Sequence, residues 1–160
     1  DGGWDAWAQS GASVTTELPS IKSATYTATS NAAKAVDAAY IAAHLNDPSV
    51  MVLDARSADR FRGENETLDP VAGHIPGARN RFFKLNLTAD GRFRTPLALR
   101  DEFTDLLGDH KPETVVHQCG SGVTACHNLL AMEYAGLTGS RLYPGSWSEW
   151  VSDRSRPVAR

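Results

Sequence analysis

The sequence predicts an α/β domain, a mostly parallel central sheet flanked by helices. Two short, apolar, β-branched runs, Ser49-Val50-Met51-Val52-Leu53-Asp54 and Thr114-Val115-Val116-His117-Gln118, have the length and composition of buried strands. Segments of helical period surround them, and strands alternating with helices signify a parallel sheet covered by helices. The second run ends on Cys119-Gly120-Ser121-Gly122-Val123-Thr124, a glycine-rich loop leading straight into a helical pattern. Ligands on such sheets bind beyond the carboxyl ends of the strands, where Cys119 and the Asp54 segment both point.

Taken in order, the chain opens on Gly2-Gly3-Trp4-Asp5-Ala6-Trp7, which is echoed near its end by Gly145-Ser146-Trp147-Ser148-Glu149-Trp150. Tryptophans three apart share a helical face, so each copy is expected to be a short helix packing its indoles against a domain. Residues 1–11 then read as the tail of a preceding homologous domain. Residues 12–23 are polar and proline-punctuated, a linker composition, and the main domain runs over 24–160. Within it, Ala24-Thr25-Tyr26-Thr27-Ala28 has strand propensity, and a helix that Asp37 caps is expected through Leu45. Gly73-His74-Ile75-Pro76-Gly77 is a turn. Thr95-Pro96 begins a helix carrying Leu97, Leu99, Phe103, Leu106 and Leu107, which Gly108 ends. From Val123 to Tyr134 a further helix is expected to bury Val123, Cys126, Leu129, Leu130 and Ala131 along one stripe.

Composition narrows the function classes. The 160 residues are enough for one core, and a net charge of -3 leaves no electrostatic footprint for nucleic acid. Two cysteines make no disulfide framework, and no Cys/His set has zinc-ligand spacing, so a reduced setting without structural metal is expected. The apolar stretches are too short for a membrane span, and the N-terminus has no apolar leader core. A soluble, cytoplasmic protein is the resulting expectation.

The chemistry centres on Cys119. Free amides at a helix start, aided by the helix dipole, stabilise negative charge on an adjacent sulfur or a bound anion. Thiols titrate near pH ~8.5, but in such positions can fall to roughly 3.5–7.5, which makes a nucleophile at neutral pH. The Gly-Ser-Gly that follows offers no apolar side chain to bury the sulfur, so Cys119 is read as functional. Cys126, on the apolar stripe, is read as core.

In order along the chain, Val52-Leu53-Asp54-Ala55-Arg56, Arg60-Phe61, Gly73-His74-Ile75-Pro76-Gly77, the Cys119 loop and Pro144-Gly145-Ser146-Trp147 resemble the motifs of the rhodanese family of sulfurtransferases. The resemblance is to the C-terminal, catalytic repeat of a tandem enzyme, and the echo at Trp4 and Trp7 fits the end of a first repeat. It implies a persulfide cycle without metal or organic cofactor. Cys119 takes sulfur from a small anionic donor, 3-mercaptopyruvate or thiosulfate, and passes it to cyanide or a thiol acceptor, either a small thiol or a thioredoxin-like protein. The amides of Gly120, Ser121, Gly122, Val123 and Thr124 would stabilise thiolate and persulfide, and Arg60 would hold the anionic end of the donor. Asp54 and Arg56 are expected to form a structural ion pair, and His74 to support the fold. A loop without basic residues resembles the mercaptopyruvate type. That type has a second carboxylate-binding arginine, which Glu64-Asn65-Glu66-Thr67-Leu68-Asp69-Pro70 lacks, leaving Arg62 or Arg79 as replacements. A cysteine phosphatase would need arginine where Ala125 stands, and a non-catalytic rhodanese-like binding module commonly lacks the cysteine.

Overall fold

The computed structural model describes residues 1–29 and 31–160. Its strands are β1 (Met51–Asp54), β2 (Arg79–Asn80), β3 (Val115–Gln118) and β4 (Arg141–Leu142). All pair in parallel, in the spatial order β2-β1-β3-β4. The helices are α1 (Gly3–Gln9), α2 (Ala38–Ala43), α3 (Ala58–Phe61), α4 (Pro96–Leu107), α5 (Val123–Tyr134) and α6 (Ser146–Trp150). The expected α/β class is therefore the observed one. The predicted starts of α2 and α4 are also present: Asp37 accepts from the Tyr40 amide, and Thr95 accepts from the Ala98 amide ahead of Pro96.

Because side chains alternate across a strand, β1 and β3 divide their residues between two cores. Met51, Leu53 and Val115 join Leu99, Phe103 and Leu107 of α4 and Ala131 and Met132 of α5 on one face. Val52 and Val116 join Ile41, Ile75, Tyr143, Trp147 and Trp150 on the other. The two indoles are fully buried. Each contributes roughly 4–6 kcal/mol of gross hydrophobic stabilisation before ordering costs. From β1 the chain leaves towards β2, whereas from β3 it leaves towards β4. A crevice consequently opens beyond Asp54 and Gln118, which face each other in register.

Three expectations fail here. Ala24–Ala28 forms no strand and lies exposed, since β propensity yields a strand only where an edge is available for pairing. Among the described residues, the first buried side chain is Ala38. On α5 the buried face is Ala125, Asn128, Ala131 and Met132, so the stripe is rotated from the predicted one. Val123, Leu130 and Tyr134 are exposed, and Cys126 is exposed rather than core. Finally, the two Gly-x-Trp-x-x-Trp copies are both helical but opposite in burial. Trp4 and Trp7 are 67% and 53% exposed, and Trp147 and Trp150 are at 0%.

His117 is an unusual core residue. It is fully buried, neither ring nitrogen has a hydrogen-bond partner among the described residues, and burial lowers its pKa to about 3. Its ordinary value is 6.5. Between these values the unfolded chain binds a proton that the folded chain refuses. The contribution to stability is present above pH 6.5 and is lost as pH falls towards 3, by about 1.4 kcal/mol per pH unit. Urea unfolding at stepped pH should show this loss, and His117→Leu should remove that part of it.

Candidate active site

Cys119 is the first residue beyond β3 and Ala55 the first beyond β1. The Ala55 amide donates to the Gln118 carbonyl at 2.9 Å, and Ala55, Cys119 and Ala125 pack as a small cluster at the carboxyl end of the sheet. The sulfur is accordingly more buried than the Gly-Ser-Gly sequence suggests, with only 2% of the residue exposed. Ala55 and Ala125, from two separate segments, close around it with partly buried Phe83 and Leu142 beside them, a feature no local reading contains. Cys119 still lines a cavity of about 340 Å3, together with Arg60, Asp69, Gly120, Ser121, Val123, Thr124 and Ser148.

The loop is held by the segment that ends the domain. Trp147 and Ser148 donate their amides to the carbonyls of Cys119 and Gly120 at 3.0 and 2.9 Å. The Ser146 hydroxyl accepts from the Cys119 amide at 3.1 Å and donates to the Tyr143 carbonyl at 2.9 Å. To do so Ser146 adopts φ of 53°, a left-handed conformation that costs a non-glycine residue about 1–3 kcal/mol. With the loop carbonyls engaged in this way, the amides of Gly120, Ser121 and Gly122 donate to no acceptor among the described residues. Those of Gly120 and Ser121, which line the cavity, are free to serve an anion. Gly122 itself does not line the cavity. It takes φ of +82°, and a Cβ there would come within 2.5 Å of the Pro144 carbonyl oxygen, so only glycine suits this turn into α5.

Arg60, on α3, reaches the cavity from the β1 side. Both terminal nitrogens of its guanidinium lie 3.7 Å from where a Gly120 Cβ would stand. Nε and Nη2 donate to Glu66 at 3.1 and 2.8 Å, and Nη2 approaches Asp69 at 3.4 Å. Behind it, Arg56 is locked to Asp54 at 2.7 Å and to Glu66 at 3.3 Å, with all three side chains at 1% exposure or less. Arg56 also donates to the Gly73 carbonyl and lies 4.8 Å over the Trp147 ring. Burial alone would raise the Glu66 carboxyl. The hydrogen bond from Arg60, the amides of Leu68 and Asp69 and the Arg60 charge outweigh it and hold the carboxyl below its ordinary range.

Neither arginine proposed as a second grip reaches this place. Arg62 pairs with Glu64 at the surface, and Arg79 donates to the Leu106 carbonyl. His74 stacks on Phe61 at 3.8 Å and bonds its carbonyl at 2.8 Å, which ties the turn to α3. Glu66, Asp69, Ser146 and Ser148 are the site residues that sequence reasoning missed. Only Ser146 carried a signal, as part of Pro144-Gly145-Ser146-Trp147. Among the described residues no group of His, Cys, Asp and Glu could hold a metal ion.

The family model of the rhodanese-like domain matches residues 37–153. The probable 3-mercaptopyruvate sulfurtransferase of Pseudomonas aeruginosa is 48% identical over 159 residues, which is 99% of this chain and 56% of that protein. The putative thiosulfate sulfurtransferase SseB of Mycobacterium tuberculosis is 40% identical over the whole chain and 56% of its own length. The chain therefore spans little more than half of these relatives. Among solved structures, EanB in complex with ergothioneine superposes on 98% of the chain and 39% of its own, with a TM-score of 0.85 at 20% identity, a likeness of fold. The Tum1 protein of Saccharomyces cerevisiae gives a TM-score of 0.69 at 27% identity over 80% of the chain and 47% of its own.

Proposed function

From the premise that the chain belongs to the rhodanese family, we propose that it moves sulfane sulfur through a persulfide on Cys119. The observation that carries this is the placing of Cys119 at the floor of a cavity edged by unengaged loop amides and by Arg60. With thiosulfate, the Cys119 thiolate attacks the outer sulfur, the S–S bond breaks and sulfite leaves with the electron pair. With 3-mercaptopyruvate the C–S bond breaks instead, and the carbon takes the pair and then a proton to give pyruvate. In the second half, an acceptor thiolate or cyanide attacks the outer sulfur and the Cys119 thiolate departs. Dividing the transfer in two lets one nucleophile serve both substrates, and the loop amides stabilise the sulfur anion in each half.

The 48% relative and the Gly-Ser-Gly loop favour 3-mercaptopyruvate as donor. Arg60 Nη1, which makes none of the contacts to Glu66 and Asp69, is the side-chain donor we assign to its carboxylate. Ala125 is fully buried against Cys119, which leaves phosphate-ester chemistry without its transition-state arginine. We further propose that a preceding repeat supplies the rest of the cleft. Exposed Trp4 and Trp7, and the exposed Val123, Leu130 and Tyr134 of α5, are surfaces suited to it. No helix of the described residues is long and apolar enough to cross a membrane. A cytoplasmic setting, where thiols stay reduced, suits the cycle.

Exposure to either donor, followed by intact-mass and peptide measurement, is expected to show a gain of ~32 mass units on the Cys119 peptide, removable by cyanide. Absence of that gain with both donors would favour the non-catalytic binding module instead.

A further inference from the structure

Resting on the sulfur-transfer reading, we propose that Asp69 sets the charge preference of the cavity, its carboxylate disfavouring dianionic donors such as thiosulfate relative to monoanionic ones such as 3-mercaptopyruvate. Besides Cys119, the ionisable side chains lining the cavity are Arg60 and Asp69. Arg60 does not bring a free positive charge. Glu66 engages its Nε and Nη2, and Asp69 approaches Nη2 as well.

Following the ion pairs outward, two guanidinium groups, Arg56 and Arg60, face three carboxylates, Asp54, Glu66 and Asp69. The connected network carries one surplus negative charge, and Asp69 is its member at the cavity wall. That carboxylate is also fixed in place. Ser148 donates its hydroxyl to Oδ1 at 2.6 Å, Arg60 holds Oδ2 at 3.4 Å, and only 8% of the side chain is exposed.

Coulomb energy scales with the charge of the ligand, so a fixed carboxylate opposes a dianion twice as strongly as a monoanion in the same place. The attraction left to a donor comes from the loop amides and Arg60 Nη1. These suffice for one carboxylate while leaving a second charge unmatched. Asp69 thus adds repulsion against the unwanted donor to the missing basic residues of the loop, the two ways in which a site discriminates.

Asp69→Asn keeps the shape and removes the charge. The 160-residue chain and this variant would be titrated at constant ionic strength with sulfate and with pyruvate. The readout is protection of Cys119 from iodoacetamide, measured on the Cys119 peptide. The expected gain in affinity is roughly threefold for pyruvate and roughly tenfold for sulfate, the second being about the square of the first because the charge is doubled. The rate of persulfide formation with thiosulfate should rise more than that with 3-mercaptopyruvate.

Ser148→Ala removes the hydrogen bond but not the charge, and should leave the sulfate-to-pyruvate ratio within about twofold of the unchanged protein. Equal gains for the two anions, weakened binding of both, or no protection by either would overturn the proposal; weakening of both would mean that Asp69 only positions Arg60. Should Asp69→Asn fail to fold, Asp69→Ser carries the same comparison. Failure of the unchanged protein to form a persulfide with either donor would instead count against the sulfur-transfer reading, and the anion titration would still judge Asp69.

Discussion

Cys119→Ser is expected to abolish sulfur uptake while leaving the fold intact. The oxygen has nearly the volume of the sulfur and sits in the same cluster of Ala55 and Ala125. A buried hydroxyl left unpartnered costs about 1–3 kcal/mol, and the unengaged amides of the following loop are the nearest backbone donors in sequence. The thermal midpoint should therefore move by no more than a few degrees, as for a change of about 1 kcal/mol. Chemically the exchange is absolute, because a serine hydroxyl without an adjacent base stays protonated at neutral pH, and among the described residues no imidazole or carboxylate stands in hydrogen-bond contact with Cys119. Intact mass after donor exposure should show no gain, and turnover with either donor should fall to background. Cys126→Ser, altering an exposed thiol that donates to the Gly122 carbonyl, should retain the adduct. Sulfur uptake that persisted in Cys119→Ser and vanished in Cys126→Ser would reverse the assignment.

The largest loss of stability is expected from Arg56→Met. Its side chain is 1% exposed and satisfies Asp54 through Nε and Nη2, Glu66 through Nη1 and the Gly73 carbonyl through Nη2. Removing one partner of a buried ion pair leaves the other as an uncompensated charge, which costs about 3–5 kcal/mol. Here Asp54 loses its cation, Glu66 keeps only Arg60, and the Trp147 ring loses the guanidinium above it. Methionine fills most of the volume, so the effect reports the charge rather than a cavity. Urea unfolding should show a lower midpoint with little change in slope. Activity should fall as well, since Glu66 links Arg56 to Arg60 and Trp147 holds the Cys119 carbonyl. Arg60→Ala is the contrast. With a side chain 19% exposed, that substitution should weaken donor binding far more than it weakens the fold.

The parts of the fold legible in sequence were those whose signal is local and periodic. β1 and β3 are built on the short apolar runs Met51-Val52-Leu53 and Val115-Val116, and α4 is bracketed by Thr95, Pro96 and Gly108. Where a neighbour decides, the reading failed. Ala24–Ala28 has the residues of a strand and no edge to pair with. The sequence of α5 carries two apolar faces, and the sheet with α4 covers the one holding Ala125, Ala131 and Met132, leaving Val123, Leu130 and Tyr134 outside. Trp4 and Trp147 occupy the same pattern and differ only in whether a domain lies beneath them.

At the site the division is the same. Membership of the rhodanese family could be read along the chain, as could the candidates Cys119, its glycine loop and Arg60, because a cysteine at a strand-to-helix turn and ordered motifs are properties of contiguous residues. That the sulfur is buried, that Ser146 adopts a strained conformation to hold the loop, and that Glu66 and Asp69 neutralise Arg60 were decided only by tertiary structure. The segments responsible lie nine residues from Arg60 in one case and 27 from Cys119 in another, and long-range packing brings them together. Sequence thus singled out the atom to which we assign the chemistry. The charge that meets a donor there depends on the sum of side chains converging from α3, the Glu66–Asp69 loop and α6, a sum that only the folded chain computes.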